Sequence, residues 1–159
     1  MNSILTLLTA ILLFTSTGLS QSWNQKTSMP ASERGWSVSF AMKDKGYVIT
    51  GWDKGSGNYN EVWEYSQSMD TWTQKAPYPG NATKEGIGFE IGGKGYVGLG
   101  SNSSNGGAYD FWEYDPSTDT WTAKTDYPGM AHRQCVAFAT GGNGYVGGGV
   151  ISVGTTLYK

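Results

Sequence analysis

The sequence predicts an all-β protein assembled from repeated four-stranded antiparallel sheets. Composition is the first observation behind this fold class, because the 159 residues include 24 Gly and 14 % aromatic residues. Gly in a helix interior costs about 1 kcal/mol relative to Ala, whereas aromatic residues favour strands. The second observation is an internal repeat of 49 residues. A repeat of this length indicates an architecture of equal stacked units.

A strand–turn–strand segment anchors this repeat and occurs twice. Residues 111–121 read FWEYDPSTDTW, and residues 62–72 read VWEYSQSMDTW, 49 positions earlier. Another step of 49 positions towards the N-terminus reaches Trp23. Three copies in constant register predict three structural units of one kind. A second landmark, Gly-Tyr-Val, keeps the same spacing and begins at Gly46, Gly95 and Gly144.

The first strand of each unit is predicted from an alternating pattern. Val38 and Phe40 lie on one face of this strand, and the small residues Ser37 and Ser39 lie on the other. Large residues on one face and small residues on the other suit an innermost strand, where neighbouring sheets converge. The three predicted copies are residues 37–42, 86–91 and 135–140.

The remaining three strands follow in order. The Gly-Tyr-Val segment is the second strand and ends at a Gly in every copy, where the backbone can adopt positive φ. The Trp-Glu-Tyr segment is the third strand, and Asp115-Pro116 after its later copy has good turn chemistry. The fourth strand opens at Trp72 or Trp121. Four antiparallel strands per repeat, without helical periodicity, predict the blade of a β-propeller.

The repeat also divides the chain into segments. We expect an outer strand of a closing blade at residues 21–30, blades at 31–79 and 80–128, and a partial blade at 129–159. Propellers contain about four to eight blades, so we expect this chain to form an incomplete ring of about 2.5–3 blades. Two explanations stay open. The chain is a fragment of a longer product, or two chains form a dimer that closes one ring.

The first twenty residues differ from the repeats. Residues 4–14 form an apolar run that is too short for a stable membrane span, which needs about 20 residues. Gly18 and Ser20 supply small residues before a cleavage position ahead of Gln21. We therefore expect a cleaved signal peptide at residues 1–20 and a secreted, periplasmic or cell-surface protein. An apolar strand or helix of the fold is the alternative.

Charge and cysteine content narrow the chemistry. A formal net charge of −2 gives no electrostatic footprint for nucleic acid. The single cysteine, Cys135, excludes an internal disulfide and a Cys-based zinc cluster. It lies on the small-residue face of its strand, so we expect it to be buried and unreactive. The sequence predicts no cofactor, no metal site and no catalytic residue.

The candidate site lies in the loops that lead into the innermost strands. Residues that are identical between copies serve the blade, whereas residues that vary between copies are free for function. Cations that converge at a central mouth would suit a carboxylate-bearing ligand, and a solvated rim is the alternative. The candidate binding residues are Arg34, Trp36, Lys84, Glu85, His132 and Arg133.

The repeat pattern, with Tyr114, Asp119 and Trp121 following Gly100, resembles the Kelch repeat. The resemblance extends from residue 22 to near residue 150. It departs from the Kelch pattern at the first of two adjacent Gly, where this chain has Thr50 in the first copy, Leu99 in the second and Gly148 only in the third. This departure suggests a divergent branch, similar to the Kelch domains of secreted bacterial proteins and of galactose oxidase. The resemblance implies a propeller of four-stranded blades, with an Arg at the ligand-binding mouth where Arg34 stands.

The sequence favours a secreted, non-enzymatic propeller that binds or scaffolds a protein or carbohydrate ligand. The alternative is a sugar-active enzyme on the same scaffold, resembling galactose oxidase or the Kelch-type sialic-acid mutarotase. A copper site similar to that of galactose oxidase needs two His, a Tyr and a Cys-linked Tyr. His132 is the only His of this chain, so these residues alone cannot form that site.

Overall fold

The structure is a computed structural model that describes residues 22–81, 84–102, 106–129 and 133–150. All regular structure within these ranges is β, and no helix long and apolar enough to cross a membrane occurs there. The predicted signal peptide lies outside the described residues. The strands are β1 (Val38–Met42), β2 (Lys45–Ile49), β3 (Trp52–Asp53), β4 (Gly57–Asn58), β5 (Val62–Ser66), β6 (Thr71–Lys75), β7 (Ile87–Ile91), β8 (Lys94–Gly98), β9 (Phe111–Asp115), β10 (Thr120–Lys124), β11 (Arg133–Thr140) and β12 (Asn143–Val150).

Two four-stranded antiparallel blades form the body of the structure. The first blade has the order β1-β2-β5-β6, and the second has the order β7-β8-β9-β10. Their registers repeat, since Val48 pairs with Trp63 in the first blade and Val97 pairs with Trp112 in the second. The predicted all-β architecture of propeller blades is therefore confirmed.

The third blade is represented by two strands among the described residues. Strands β11 and β12 form a two-stranded sheet, and within the described part of the chain β12 pairs with no other strand. The first and second blades each add an outer hairpin at the corresponding edge. The ring is thus incomplete over the described residues.

Consecutive blades pack large residues against glycine. A Cβ atom at Gly95 would collide with the ring of Phe40 from the preceding blade, and one at Gly144 would collide with Phe89. The alternation predicted for the innermost strands thus sets how the blades meet. The core between the first two blades contains Val38, Met42, Tyr47, Ile49, Val62, Tyr78, Val97 and Tyr114.

Two segments differ from the prediction. The loop after β2 contains the short hairpin β3–β4, in which the Asp53 carboxylate accepts N–H bonds from Gly55 and Ser56 at 2.6 and 2.5 Å. Residues 22–30 of the predicted outer strand are not paired as a strand. An outer strand is held by the inner strands of its own blade, and the described residues do not supply those strands.

Candidate binding site at the mouth

We call the mouth the region formed by the loops that lead into β1 and β7 and by the start of β11. Trp36, Glu85 and Gln134 are equivalent positions of the repeat in this region, and their φ angles are 54°, 62° and 58°. Non-glycine residues adopt this left-handed conformation only where the surrounding structure holds them there. Here the N–H of Glu85 donates to the carbonyl of Trp36, and the N–H of Gln134 donates to the carbonyl of Glu85, both at 3.1 Å. These bonds join the three equivalent segments to one another in sequence order.

An aromatic platform of Trp36 and Trp52 stands on this mouth. Their ring centroids are 5.3 Å apart at an interplanar angle of 42°, and Trp36 is 54 % exposed. The Nζ of Lys84 lies 5.0 Å from the ring centroid of Trp52 and 5.8 Å from that of Trp36. A cation within about 6 Å of an aromatic ring is attracted to its face. The platform therefore carries one positive charge at its side.

Arg34 lies near this platform with its side chain buried. Its Nη2 donates to Glu61 at 2.5 Å, and its side chain is only 3 % exposed. Its guanidinium carbon also lies 4.0 Å from the ring centroid of Tyr59. Burial would raise the pKa of Glu61, but hydrogen bonds from Arg34 and Trp63 outweigh burial and lower it. Arg34 and Glu61 thus form a fixed ion pair.

Asp53 closes one side of an open cavity beside the platform. The Tyr59 hydroxyl donates to its carboxylate, and this bond lowers the pKa of Asp53, with a further contribution from the Ser56 N–H. The cavity measures about 410 Å³ and is lined by Glu33, Arg34, Gly35, Trp36, Trp52 and Asp53.

Glu85 is the polar centre of the neighbouring loops. Gln134 Nε2 donates to its carboxylate at 2.9 Å, and Ser101 Oγ donates at 3.3 Å. Arg133 Nε lies 4.0 Å from the same carboxylate. The acceptor atoms of Glu85 are thus engaged within the protein.

The predicted cations Arg34, Lys84 and Arg133 therefore have different partners in the structure. Arg34 is paired with Glu61, and Arg133 lies beside Glu85. Lys84 has no carboxylate within ion-pair distance in the part of the chain that the structure describes, and it projects over the two Trp rings. His132 lies outside the described residues.

The sequence patterns did not single out Trp52 and Glu61 as parts of this site. Trp52 corresponds to Ser101 in the next repeat, and this departure from the repeat was the available signal. Glu61 corresponds to Asp110, and both carboxylates accept a bond from the indole N–H two residues later. Over the described residues, no group of three or more His, Cys, Asp or Glu could hold a metal ion.

Comparison with known proteins shows the fold alone. No family model matches this chain, and a search of curated proteins finds no match. Among solved structures, the chain is similar to that of YjhT, with a TM-score of 0.74 and 17 % sequence identity. The match covers 82 % of this chain and 48 % of the YjhT chain, so this chain spans about half the length of that structure. The likeness supports the β-propeller architecture.

Proposed function

We propose that this protein is a Kelch-type binding module whose mouth takes a protein or glycan ligand. The observation that carries the proposal is the aromatic platform of Trp36 and Trp52, whose segments are joined because Gly35 and Trp52 exchange two backbone hydrogen bonds at 2.9 Å. Large aromatic faces provide contact area at low entropic cost, and exposed Trp residues often dominate binding energy. The cavity beside the platform gives a ligand a concave surface to enter.

The charge at the platform favours a ligand with a carboxylate group. Lys84 supplies this charge, because Arg34 and Arg133 already face carboxylates of the protein. A carboxylate that reaches the Lys84 ammonium would form a charge-assisted hydrogen bond while an apolar ring or chain lies on the Trp faces. This geometry suits an acidic sugar or an acidic side chain that is flanked by apolar groups.

Binding is favoured over catalysis because the carboxylates near the mouth accept hydrogen bonds from other groups of the protein. Glu61 and Glu85 accept bonds from the protein's own donors, and the Asp53 carboxylate accepts three. Such engaged groups stabilise a fixed surface. Secretion is part of the same proposal and is supported by the apolar run at residues 4–14 with small residues after it.

The test compares variants on arrays of neutral oligosaccharides, carboxylate-bearing oligosaccharides and acidic peptides. Trp36→Ala should weaken binding about tenfold or more, which corresponds to about 1.4 kcal/mol. Lys84→Ala should weaken binding only to the carboxylate-bearing probes. Trp23→Ala and Lys26→Ala are the matched controls, since both residues are exposed and the nearby Thr27 binds Asp70 and Trp72 of the outer hairpin of the first blade. Unchanged binding by a folded Trp36→Ala variant would refute the assigned site.

A further inference from the structure

The cavity beside the aromatic platform has a wall whose charge is opposite in sign to that of Lys84. Glu33 and Asp53 line this cavity, whereas Lys84 is not part of its lining. Arg34 also lines the cavity, but its charge is balanced by the ion pair with Glu61 at 2.5 Å. The two remaining carboxylates therefore make the cavity wall negative, while the side of the platform at Lys84 is positive.

Both carboxylates of the wall have room for a further hydrogen-bond donor. Glu33 is exposed, and the ion pairs among the described residues do not include it. The Asp53 carboxylate accepts bonds from Gly55, Ser56 and Tyr59. A carboxylate has about four acceptor sites, so these three bonds leave about one site for a ligand. The same bonds lower the pKa of Asp53, which keeps it charged at neutral pH.

The two Trp rings add a second feature that attracts a cation. Trp36 and Trp52 both line the cavity. The face of an aromatic ring attracts an ammonium group that lies within about 6 Å of the ring centroid. Lys84 already makes this contact, since its Nζ lies 5.0 and 5.8 Å from the two ring centroids. An ammonium group that enters the cavity would thus meet aromatic rings and carboxylates together.

We propose that the ligand of the mouth is dipolar, with an amine that enters the cavity and a carboxylate that binds Lys84. The assignment rests on the proposed function, which places the carboxylate of the ligand at Lys84. The ammonium group of the ligand donates to Glu33 and Asp53, and the apolar atoms between its two charges lie on the Trp rings. Opposite charges on two sides of one aromatic pair fix the direction in which such a ligand lies. A ligand with a carboxylate alone leaves the cavity wall without a partner.

An amine beside a carboxylate occurs both in glycans that contain free amino sugars and in peptides that contain Lys and Glu. The test therefore uses two matched pairs of probes, with titration calorimetry on the full chain. One pair is a glucuronate–glucosamine disaccharide and its N-acetyl form. The other pair is a Lys-Gly-Glu peptide with blocked termini and its Nε-acetyllysine form. In each pair, acetylation removes the positive charge and keeps the carboxylate.

We expect the free amine to bind about tenfold more tightly than the acetylated form in at least one pair. The measurement is made at about pH 6, where the amines and the carboxylates of the probes are charged. The pair with the larger ratio of affinities identifies the glycan or the peptide as the source of the ligand.

Three variants of the protein assign this ratio to the cavity wall. Glu33→Gln and Asp53→Asn each remove one negative charge and should lower the ratio about threefold or more, with little change for the acetylated probes. Glu33 is exposed, so its variant gives a result even if Asp53→Asn disturbs the β3–β4 hairpin. Asp44→Asn is the matched control, because Asp44 is exposed in the turn between β1 and β2, at the other end of β1. It should keep the ratio of the unchanged protein.

Equal binding of the free and acetylated forms in both pairs would overturn the dipolar ligand. An equal fall of the ratio in Glu33→Gln and Asp44→Asn would also overturn it, because net charge rather than the cavity would then control binding. Failure of the proposed function is seen separately with the acetylated probes, which carry the carboxylate alone. These probes would then bind equally to the unchanged protein and to a folded Trp36→Ala variant.

Discussion

A single carboxylate can join two blades when it accepts hydrogen bonds from a tyrosine of its own blade and from the backbone of the preceding blade. Asp119 is the clearest example, since it accepts from the Tyr114 hydroxyl at 2.6 Å and from the Ala76 N–H at 3.0 Å. Burial alone would raise the pKa of this carboxyl, but these bonds and the charge of Lys75 outweigh burial. The pKa of Asp119 therefore lies below its ordinary value of 3.8. The charged form of Asp119 stabilises the folded state.

Asp119→Asn tests this assignment through the pH dependence of stability. A lowered folded-state pKa adds stability above the unfolded pKa, and this stability is lost as pH falls through the folded value. The free energy of unfolding should therefore fall from about pH 4 downward, and less steeply in the variant. At pH 7 the variant should lose about 1 kcal/mol, since the Asp119 side chain is 40 % exposed. Urea unfolding at several pH values is the measurement, with Asp126→Asn as control, and parallel pH curves would contradict the assignment.

The residue at one position near the end of the second strand of each repeat differs in type between copies but keeps the same backbone conformation. Thr50 and Leu99 occupy the repeat position of Gly148, and their φ angles of 60° and 58° are close to its 69°. Left-handed backbone is costly for a β-branched residue such as Thr50. Both side chains are fully buried. The turn at the end of the second strand is therefore imposed by its surroundings, and sequence alone gave no sign of this.

Neighbouring blades pack together because a large residue on a strand of one blade lies against a glycine of the next. Gly95 and Gly46 are equivalent, but only Gly95 lies beneath the ring of Phe40, whereas nothing comes closer than 3.9 Å to a Cβ atom at Gly46. Gly95→Ala should therefore lower the free energy of unfolding by about 1–3 kcal/mol. Gly46→Ala should be neutral or slightly stabilising, because it restricts the unfolded chain.

Thermal or urea unfolding of these two glycine variants gives the comparison. Equal losses in both variants would mean that strand propensity, rather than contact between blades, controls this position. A loss confined to Gly95→Ala would support the packing of Phe40 onto the second blade.

Over the whole molecule, the partial third blade presents an apolar face. Val136 is 64 % exposed and Phe138 is 49 % exposed, whereas the equivalent Val38 and Phe89 are 3 % and 8 % exposed. Exposed apolar patches and unpaired strand edges promote association. We expect the chain from residue 21 to 159 to self-associate as its concentration rises.

Light scattering on a double variant, Val136→Thr with Phe138→Thr, tests this expectation. The variant should remain monomeric at concentrations at which the unchanged chain associates, and its unfolding should change little. A matched Val38→Thr variant should instead lose stability, because Val38 lies in the core between the first two blades. Identical scattering by the double variant and the unchanged chain would contradict the role of this face.

Most of the blade architecture could be predicted, and much of the mouth could not. The period of 49 residues and the alternation on the inner strands are local patterns, so they predicted the strands of the blades and the large and small faces of the innermost strands. Of the six candidate residues, Arg34, Trp36, Lys84 and Glu85 precede the inner strands β1 and β7, Arg133 begins β11, and His132 lies outside the described residues. Their electrostatic state was not predictable, because Arg34 meets Glu61 across 27 positions of sequence.

The sequence by itself determined an all-β chain of equal blades, because side-chain periodicity and repeat length depend only on neighbouring residues. Only the tertiary structure decided that Arg34 is buried in an ion pair and that Lys84 stands over Trp36 and Trp52. Those contacts depend on where loops from different repeats cross. The path of a loop is set by packing and long-range hydrogen bonds, which no local pattern contains.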